Sequence, residues 1–461
     1  MPSFPRLFAS GALCAGLAFA GCDSDANFET PAPQQPQRFR VDIENVAQPF
    51  GILKSGAFDT PVGAAAPGPI GPGGAYTFSF TAGPNVTPGS GMRLSLATMF
   101  IQSNDLFYAF PPDGLALYDA AGNARRGDVT GELFLYDAGT EVNEEPGVGP
   151  NQAPRQSGPD AGVAENGVVA RVDGADAMGF AYPATEDVIR VTLDHDGDTR
   201  FTVRIENVSD ASTLPTSQGS VAVPLSPGGW AVHVNAVDFY TVGAAASAGI
   251  EDIAEDGMPM ALAAALAPMT GVTVPLSPGV VAVHGSAVDF FEVGAAASAG
   301  IEGIAEDGSP TAAVAGLSGV AGVRSVTPFA TPAGAGSPGP IGPGGRYSVE
   351  VDARPGDRLS FATMYIQSND WLLAPDPDGL ALFGADGAPL AGDVSAQVRL
   401  WDAGTEVDEE PGVGLDQAPR QAGPDTGAAE NGTITEIDDG AGFGYPSAAD
   451  VIRVTVTPIG S

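Results

Sequence analysis

The chain has 461 residues, enough for two or three domains, and 56 acidic against 19 basic side chains give it a formal net charge of −37. A field of that sign repels nucleic acid and anionic membrane surfaces, attracts divalent cations and favours solubility, so nucleic acid is excluded as a partner. The only cysteines are Cys14 and Cys22, so everything after them lacks a disulfide, a thiol nucleophile and a thiolate metal site.

The first stretch, residues 1–21, carries Arg6 and then a short apolar run that ends before Cys22. The run is too short to span a bilayer as a helix and reads as a signal peptide. Residues 19–22, FAGC, look like a bacterial lipobox, with Phe19 where Leu is usual; Cys22 is then the lipidated residue. Residues 1–22 are thus expected to be leader and anchor, and the Pro/Gln-rich residues 23–37 a tether. Export follows, to the cell envelope or the medium, with membrane contact only through the N-terminal lipid.

The whole chain has 63 glycines and 41 prolines, and its body has short apolar runs between turns, which predicts an all-β fold with few short helices. Residues 38–46, RFRVDIENV, alternate as a strand does. After the turn PGPIGPGG (67–74) come a strand at 75–81 and the nearly continuous apolar run LSLATMFI at 94–101. Such a run predicts a central strand buried on both faces. It yields to the polar QSND, ending at Asp105; a later strand at 132–136 runs straight into Asp137. Residues 188–192, VIRVT, close the repeat.

The chain then repeats itself. The block DAGTEVNEEPGVGPNQAPRQSGPD at 137–160 recurs almost unchanged at 402–425, and LATMFIQSND at 96–105 recurs as FATMYIQSND at 361–370, both at one spacing. Two separated blocks at one spacing mark a duplicated domain. The strand RFRVDIENV has its near copy RFTVRIENV at 200–208, and VIRVT recurs at 451–455. The expected organisation is two tandem antiparallel β-sandwiches, 38–196 and 197–461, with the boundary inside 193–199. The second half also contains an internal duplication, residues 223–257 against 274–308, each holding a short helical segment of the type GIEDIAEDG. One copy is expected in the second sandwich and the other looped out, the sequence leaving open which. The first sandwich, without such a segment, is expected to be abbreviated.

The repeated loop carries the chemistry. Asp105 and Asp137 end strands, and Glu141 follows on a Gly-containing loop that can curl back. Three carboxylates at converging strand ends make an all-oxygen site, which suits a hard cation such as Ca²⁺. Asp370, Asp402 and Glu406 repeat the pattern. The bland alternative is a solvated acidic turn. Other candidates carry less. His233 and His284 are duplicates of one position after an apolar run and read as structural. Residues 194–198, DHDGD, imitate the start of an EF-hand loop, but Thr199 stands where Gly is needed and Ile205 where Glu is, so they read as an acidic linker. Glu144 and Glu145 sit on an open loop without a visible reason for a raised pKa, which argues against glycoside hydrolysis.

Several of these pieces together, FATMYIQSNDW at 361–371, WDAGTE at 401–406, ASAGIEGIAEDG at 297–308 and RFTVRIENV, resemble the spondin N-terminal domain family. That family includes extracellular matrix spondins, mindin and many bacterial secreted proteins. The resemblance covers nearly all the chain after Gln37, as two copies. It implies an eight-stranded antiparallel β-sandwich similar to calcium-binding membrane-docking modules. It also implies a Ca²⁺ site on the Asp after the ATM strand and the two acids of the DAGT loop: Asp105, Asp137 and Glu141, and Asp370, Asp402 and Glu406. The third position is Glu where matrix spondins have Asp; the extra methylene either loosens the site or permits bidentate contact. The functional expectation is a calcium-stabilised surface binding or adhesion module, not an enzyme, whose partner is an extracellular protein or glycan. The alternatives are a structural envelope or matrix protein with structural calcium and, further off, a calcium-dependent hydrolase.

Overall fold

The structure, a computed structural model, describes residues 36–83, 91–197, 199–234, 237–418, 420–437 and 442–460. The leader, Cys22 and most of the tether lie outside the described residues.

Strands β1 (Gln37–Asn45), β2 (Ile52–Phe58), β3 (Ala75–Thr81), β4 (Arg93–Phe100), β5 (Leu106–Ala109), β6 (Leu115–Ala116), β7 (Gly127–Asp128), β8 (Phe134–Asp137) and β9 (Ala170–Arg171) come first. Helix α1 (Thr185–Val188), β10 (Ile189–Gly197), β11 (Arg200–Asn207), β12 (Leu225–His233) and helices α2 (Ala248–Asp256) and α3 (Met260–Leu266) follow. The rest is β13 (Leu276–Gly285), α4 (Ala299–Ala305), α5 (Thr311–Leu317), β14 (Val323–Phe329), β15 (Arg346–Ala353), β16 (Asp357–Tyr365), β17 (Trp371–Pro375), β18 (Leu380–Ala381), β19 (Gly392–Asp393), β20 (Val398–Asp402), β21 (Thr435–Glu436), α6 (Ala448–Val451) and β22 (Ile452–Ile459). Among the described residues no helix is long and apolar enough to cross a membrane.

These elements form two similar all-β sandwiches. In the first, the sheet β3-β11-β10-β7 faces the sheet β2-β12-β4-β5-β8-β9. In the second, β15-β1-β22-β19 faces β14-β13-β16-β17-β20-β21. Side-chain alternation sets the faces: along β15, RYSVEVDA, every second residue is buried. The β4 run is buried almost throughout, because Leu94, Leu96 and Phe100 enter the core between the sheets while Ala97 packs under α2 and α3. Each helix pair closes the outer face of its larger sheet. Ser247 caps α2 by accepting from the Ile250 N–H, and Gly257 ends it at φ +66°. Gly228 lies at the bulge of β12, where an added Cβ would sit 2.1 Å from the Ala97 carbonyl oxygen; Gly279 does the same against Ala362 at 2.0 Å.

The sandwiches do not follow the repeat boundaries. Strands β10 and β11 pair antiparallel from Ile189↔Asn207 to Gly197↔Arg200, so residues 193–197, inside the expected boundary, are paired strand and not a linker between domains. The EF-hand-like DHDG is therefore strand. The opening strand β1 leaves its sequence neighbours and pairs with β15 (Gln37↔Ala353) and β22 (Arg38↔Ile459). Its near copy β11 fills the equivalent place between β3 and β10. The internal duplication is shared out too: β12, α2 and α3 pack on the first sandwich, β13, α4 and α5 on the second. Neither copy is looped out and the first sandwich is not abbreviated. The first is thus built from one continuous stretch beginning at β2, and the second from β1 plus everything from β13 onward. The physical reason is that β1 and β11 are equivalent as strands. Phe39, Val41 and Ile43 face one core as Phe201, Val203 and Ile205 face the other, all with no exposure.

Candidate metal centre

Strand pairing brings the acids together. β5 pairs with β4 and with β8 in the register Leu106↔Asp137, and the Ala138 N–H donates to the Asp105 carbonyl at 3.0 Å. The polar end of one strand therefore lies beside the end of another. β9 pairs with the far edge of β8 (Asp137↔Ala170), and the Glu165 N–H donates to the Thr140 carbonyl at 2.8 Å, which places Glu165 over the same spot. One oxygen from each of Asp105, Asp137 and Glu165 lies within 4.8 Å of the others; Asp370, Asp402 and Glu430 repeat the group.

Asp105 is the floor of the site. It has no exposure. Its Oδ2 accepts from the Thr140 N–H at 2.7 Å, the Thr140 hydroxyl at 3.2 Å and the Glu141 N–H at 3.1 Å. Its Oδ1 is buried with no hydrogen-bond partner, and so is Oδ1 of Asp370. A buried, unpartnered carboxylate oxygen is costly, and a cation beside it removes the cost. Burial, and then the Asp137 charge, push Asp105 above the usual carboxylate range. Asp137 is raised by burial, against the Gly139 N–H and Asn143 amide that bond it at 2.7 Å each. Glu165 is raised by burial and by Asp137. In the second sandwich burial raises Asp370, and burial together with the Asp370 charge pushes Asp402 up to about 6.

Glu141 and Glu406, expected as third ligands, play another part. Gly139 (φ +70°) and Gly404 (φ +67°) turn each loop so that Thr140 and Glu141, or Thr405 and Glu406, give main-chain N–H groups to the floor aspartate. The Glu141 carboxylate turns away: Oε1 accepts from the Gly162 N–H at 2.6 Å and Oε2 from the Asn104 amide at 3.3 Å. Glu406 Oε1 likewise accepts from the Gly427 N–H at 2.7 Å, and its Oε2 is buried without a partner. The carboxylates that join the aspartates are Glu165 and Glu430. Their signal was in the sequence, since the motif AENG at 164–167 recurs at 429–432 at the spacing of the main repeat.

The two centres differ in one coupled pair. The second has Asp408 and Trp371 where the first has Asn143 and Leu106. The Trp371 indole N–H donates to Asp408 Oδ1 at 2.6 Å. Burial, Asp402 and Asp370 together push Asp408 up to about 7. The second centre thus gathers one more carboxylate than the first.

Two features support each loop. Gln102 and Gln367 hold positive φ values of 152° and 135°, a conformation that non-glycine residues seldom adopt and that recurs at functional sites. Arg155 and Arg420 bond their side-chain oxygens at 2.8 Å and tie each strand end to its loop. A second acidic group adjoins each centre: Asp160, Glu255 and Asp256 in the first, Glu302, Glu306 and Asp425 in the second. Burial pushes Glu255 and Glu306 up to about 7.

The remaining candidates resolve into structure. His233 donates from Nδ1 to the Val234 carbonyl at 3.0 Å, so Nε2 accepts from the Ser95 hydroxyl at 2.9 Å; His284 and Ser360 repeat this. A serine on a histidine has the bonding of a nucleophile and its base, but all four residues are at most 2% exposed. Glu144 accepts from Asn151 and Glu145 from Ser217, each as a loop brace. Glu410, the equivalent of Glu145, bonds Lys54 and Thr81 instead, linking the second loop to strands of the first sandwich. Neither a family model nor a curated protein matches this chain.

Proposed function

We propose that this chain is an exported binding or adhesion module whose two sandwiches are each locked by a calcium ion. The observation that carries the metal reading is the pair of fully buried aspartates, Asp105 and Asp370. Each has one oxygen saturated by loop donors and the other without a partner, beside two further carboxylates. A hard cation with an irregular oxygen shell fits such a donor set better than magnesium, which demands a near-ideal octahedron. The ion would join Asp105, Asp137 and Glu165, or Asp370, Asp402 and Glu430, and so tie a long loop to two strand ends. The resemblance to spondin N-terminal domains supports the same reading and gives the expected partner class, an extracellular protein or glycan. Cys22 would carry the lipid that holds the module at the envelope, or the chain would be released.

A second reading is an envelope or matrix protein in which the ion is purely structural. The complete burial of Asp105 and Asp370 favours it, because the ion then lies beneath the loop surface. One experiment separates the two. The purified full chain is applied to a glycan array and to extracellular-protein extracts, with calcium and with chelator. Calcium-dependent capture of one defined ligand supports the binding module. Calcium-dependent thermal stability without any calcium-dependent ligand leaves the structural reading. Labelled fatty acid incorporated in the wild type and lost in Cys22→Ser tests the anchor.

A further inference from the structure

The second sandwich contains a complete docking slot for an extended strand, and β1 fills it. We infer that the slot also accepts the β1 of a second copy of this chain, so that copies join by exchanging this strand.

The slot lies between β15 and β22, in the middle of a sheet. β1 pairs along its length on both edges, from Gln37↔Ala353 to Glu44↔Arg346 and from Arg38↔Ile459 to Asn45↔Ile452. Phe39, Val41 and Ile43 enter the core with no exposure. Asn45 ends the strand with its amide donating to the Val274 carbonyl at 2.8 Å and the Ile341 carbonyl at 3.0 Å. Two ladders, alternate apolar side chains and a polar end-stop are what recognition by strand addition needs. Every one of these contacts is to residues 274–459, and each is the same whichever copy supplies the strand.

The covalent link decides which strand exchanges. β11 occupies the equivalent slot of the first sandwich, with Asn207 bonding the Ile70 and Val223 carbonyls as Asn45 bonds its own pair. But β11 is joined to its neighbour β10 by a tight hairpin, Gly197↔Arg200, and cannot leave without taking it along. β1 is joined to no neighbour in its sheet. It leads through residues 46–51 to β2 in the other sandwich. That crossing carries no strand pairing and is held by single bonds: Val46 N–H to the Val451 carbonyl, Ala47 N–H to the Asn45 side-chain oxygen, the Gln48 amide to the Pro268 carbonyl, Phe50 N–H to the Thr273 hydroxyl, which also reaches the Phe50 carbonyl at 3.5 Å, and the Gly51 carbonyl accepting from Val234. A short connection between two folded bodies, with one strand beyond it, is the geometry of a domain swap. The second crossing runs alongside, with the Gly271 N–H on the Ile52 carbonyl at 2.9 Å. It keeps each β1 near its own slot, so the closed monomer wins when dilute and the exchanged form grows with concentration.

The test uses single cysteines at Asp42 and Thr455, cross-strand partners that are both half-buried. Full-length Asp42→Cys and Thr455→Cys chains, each also Cys14→Ser and Cys22→Ser, are mixed and incubated at rising concentration in a thiol–disulfide buffer, with and without co-refolding. Facing strand positions suit a disulfide. The expected result is an interchain disulfide joining residues 42 and 455, identified by mass spectrometry and increasing with concentration. The double variant in one chain should form the same link within the chain, which reports that the slot is intact. An intrachain link in the double variant with no 42–455 interchain link at any concentration, even after co-refolding, would overturn the inference.

Discussion

Asp370→Asn is the sharpest test of the proposed centre. The wild-type Oδ2 accepts from the Thr405 N–H at 2.6 Å, the Thr405 hydroxyl at 3.0 Å and the Glu406 N–H at 3.0 Å, while Oδ1 has no partner. Asparagine has the same shape. Its amide oxygen keeps the three donors, and its NH₂ takes the place of the unpartnered oxygen, putting a neutral donor group in the cluster with Asp402 and Glu430 instead of a third negative charge. In chelator the variant should therefore melt no lower than wild type. Calcium should separate them. An ion at a hundred times its Kd stabilises the folded state by RT ln(1 + [L]/Kd), about 2.7 kcal/mol. For a unit of roughly 200 residues each kcal/mol moves Tm by about 2–4 °C, so the wild-type transition of the second sandwich should rise by about 5–11 °C. The variant, without a charge and a ligand, should keep only a small part of that rise. Calorimetry with and without calcium measures both. Trp371 adds a local reporter, since its indole N–H bonds Asp408 beside the centre and its emission should change on loading in wild type only. An equal calcium increment in the variant, or none in wild type at millimolar calcium, would refute the reasoning.

The pH dependence of the metal-free protein should run opposite to that of a protein held by ionised carboxylates. Burial raises Asp402 to about 6 and Asp408 to about 7 in the folded state, against about 4 unfolded, so the folded chain holds the extra protons. Their contribution is fully present below the unfolded value and is lost progressively as pH rises from about 4 to about 6–7, so Tm in chelator should fall across that window, more gently in Asp402→Asn; a Tm that climbs there would contradict the assignment. The calcium increment should grow over the same window, because the ion needs the carboxylates charged. The helix pairs offer a packing test. Leu262 is 3% exposed beneath α2, while the second sandwich has Ala313 at the equivalent place, beside a cavity of about 360 Å³ lined by Phe290, Ile301 and Leu317. Leu262→Ala should cost about 3–5 kcal/mol in the first sandwich. Ala313→Leu should raise the melting temperature of the second, and a fall would show that the cavity does not fit a leucine.

Much of the centre was legible because strand ends announce themselves. LSLATMFI changes abruptly to QSND, and FLYD to AGTE, so Asp105 and Asp137 mark the ends of buried strands. That they are adjacent needed only the pairing of β5 with β4 and β8. The third carboxylate of the cluster is Glu165 and not Glu141, because proximity in sequence does not set direction in space. Glu141 is four residues from Asp137, yet the left-handed turn at Gly139 commits its N–H to Asp105 and sends its carboxylate to Gly162. Glu165 arrives from beyond the long loop, through the return of the chain toward β9, and no local spacing encodes that return. The repeated AENG, with its asparagine at positive φ in both copies, was the readable trace.

The fold shows the same division between what a strand is and where it goes. Alternation identified β1 and β11 as strands, and the β4 and β16 runs as central. Identity of pattern is also what hid their destinations. Two strands reading RF-x-V-x-IEN present the same three apolar side chains and the same terminal asparagine, so the pattern itself does not tell the two slots apart. What selects the slot is connection. β11 follows β10 through a turn too short to reach any other sheet, and β1, with no such constraint, takes the place that remains. Once β11 completes the first sandwich, the duplicated insert is apportioned without remainder, β12, α2 and α3 following β11 in the first sandwich, and β13, α4 and α5 joining the second. The tandem repeat in the sequence thus becomes a nested pair in space, with the first sandwich inserted after the opening strand of the second. The integrity of the second sandwich then depends on a strand from the far end of the chain. For that reason, loss of β1 should open the second sandwich while the first keeps all its strands.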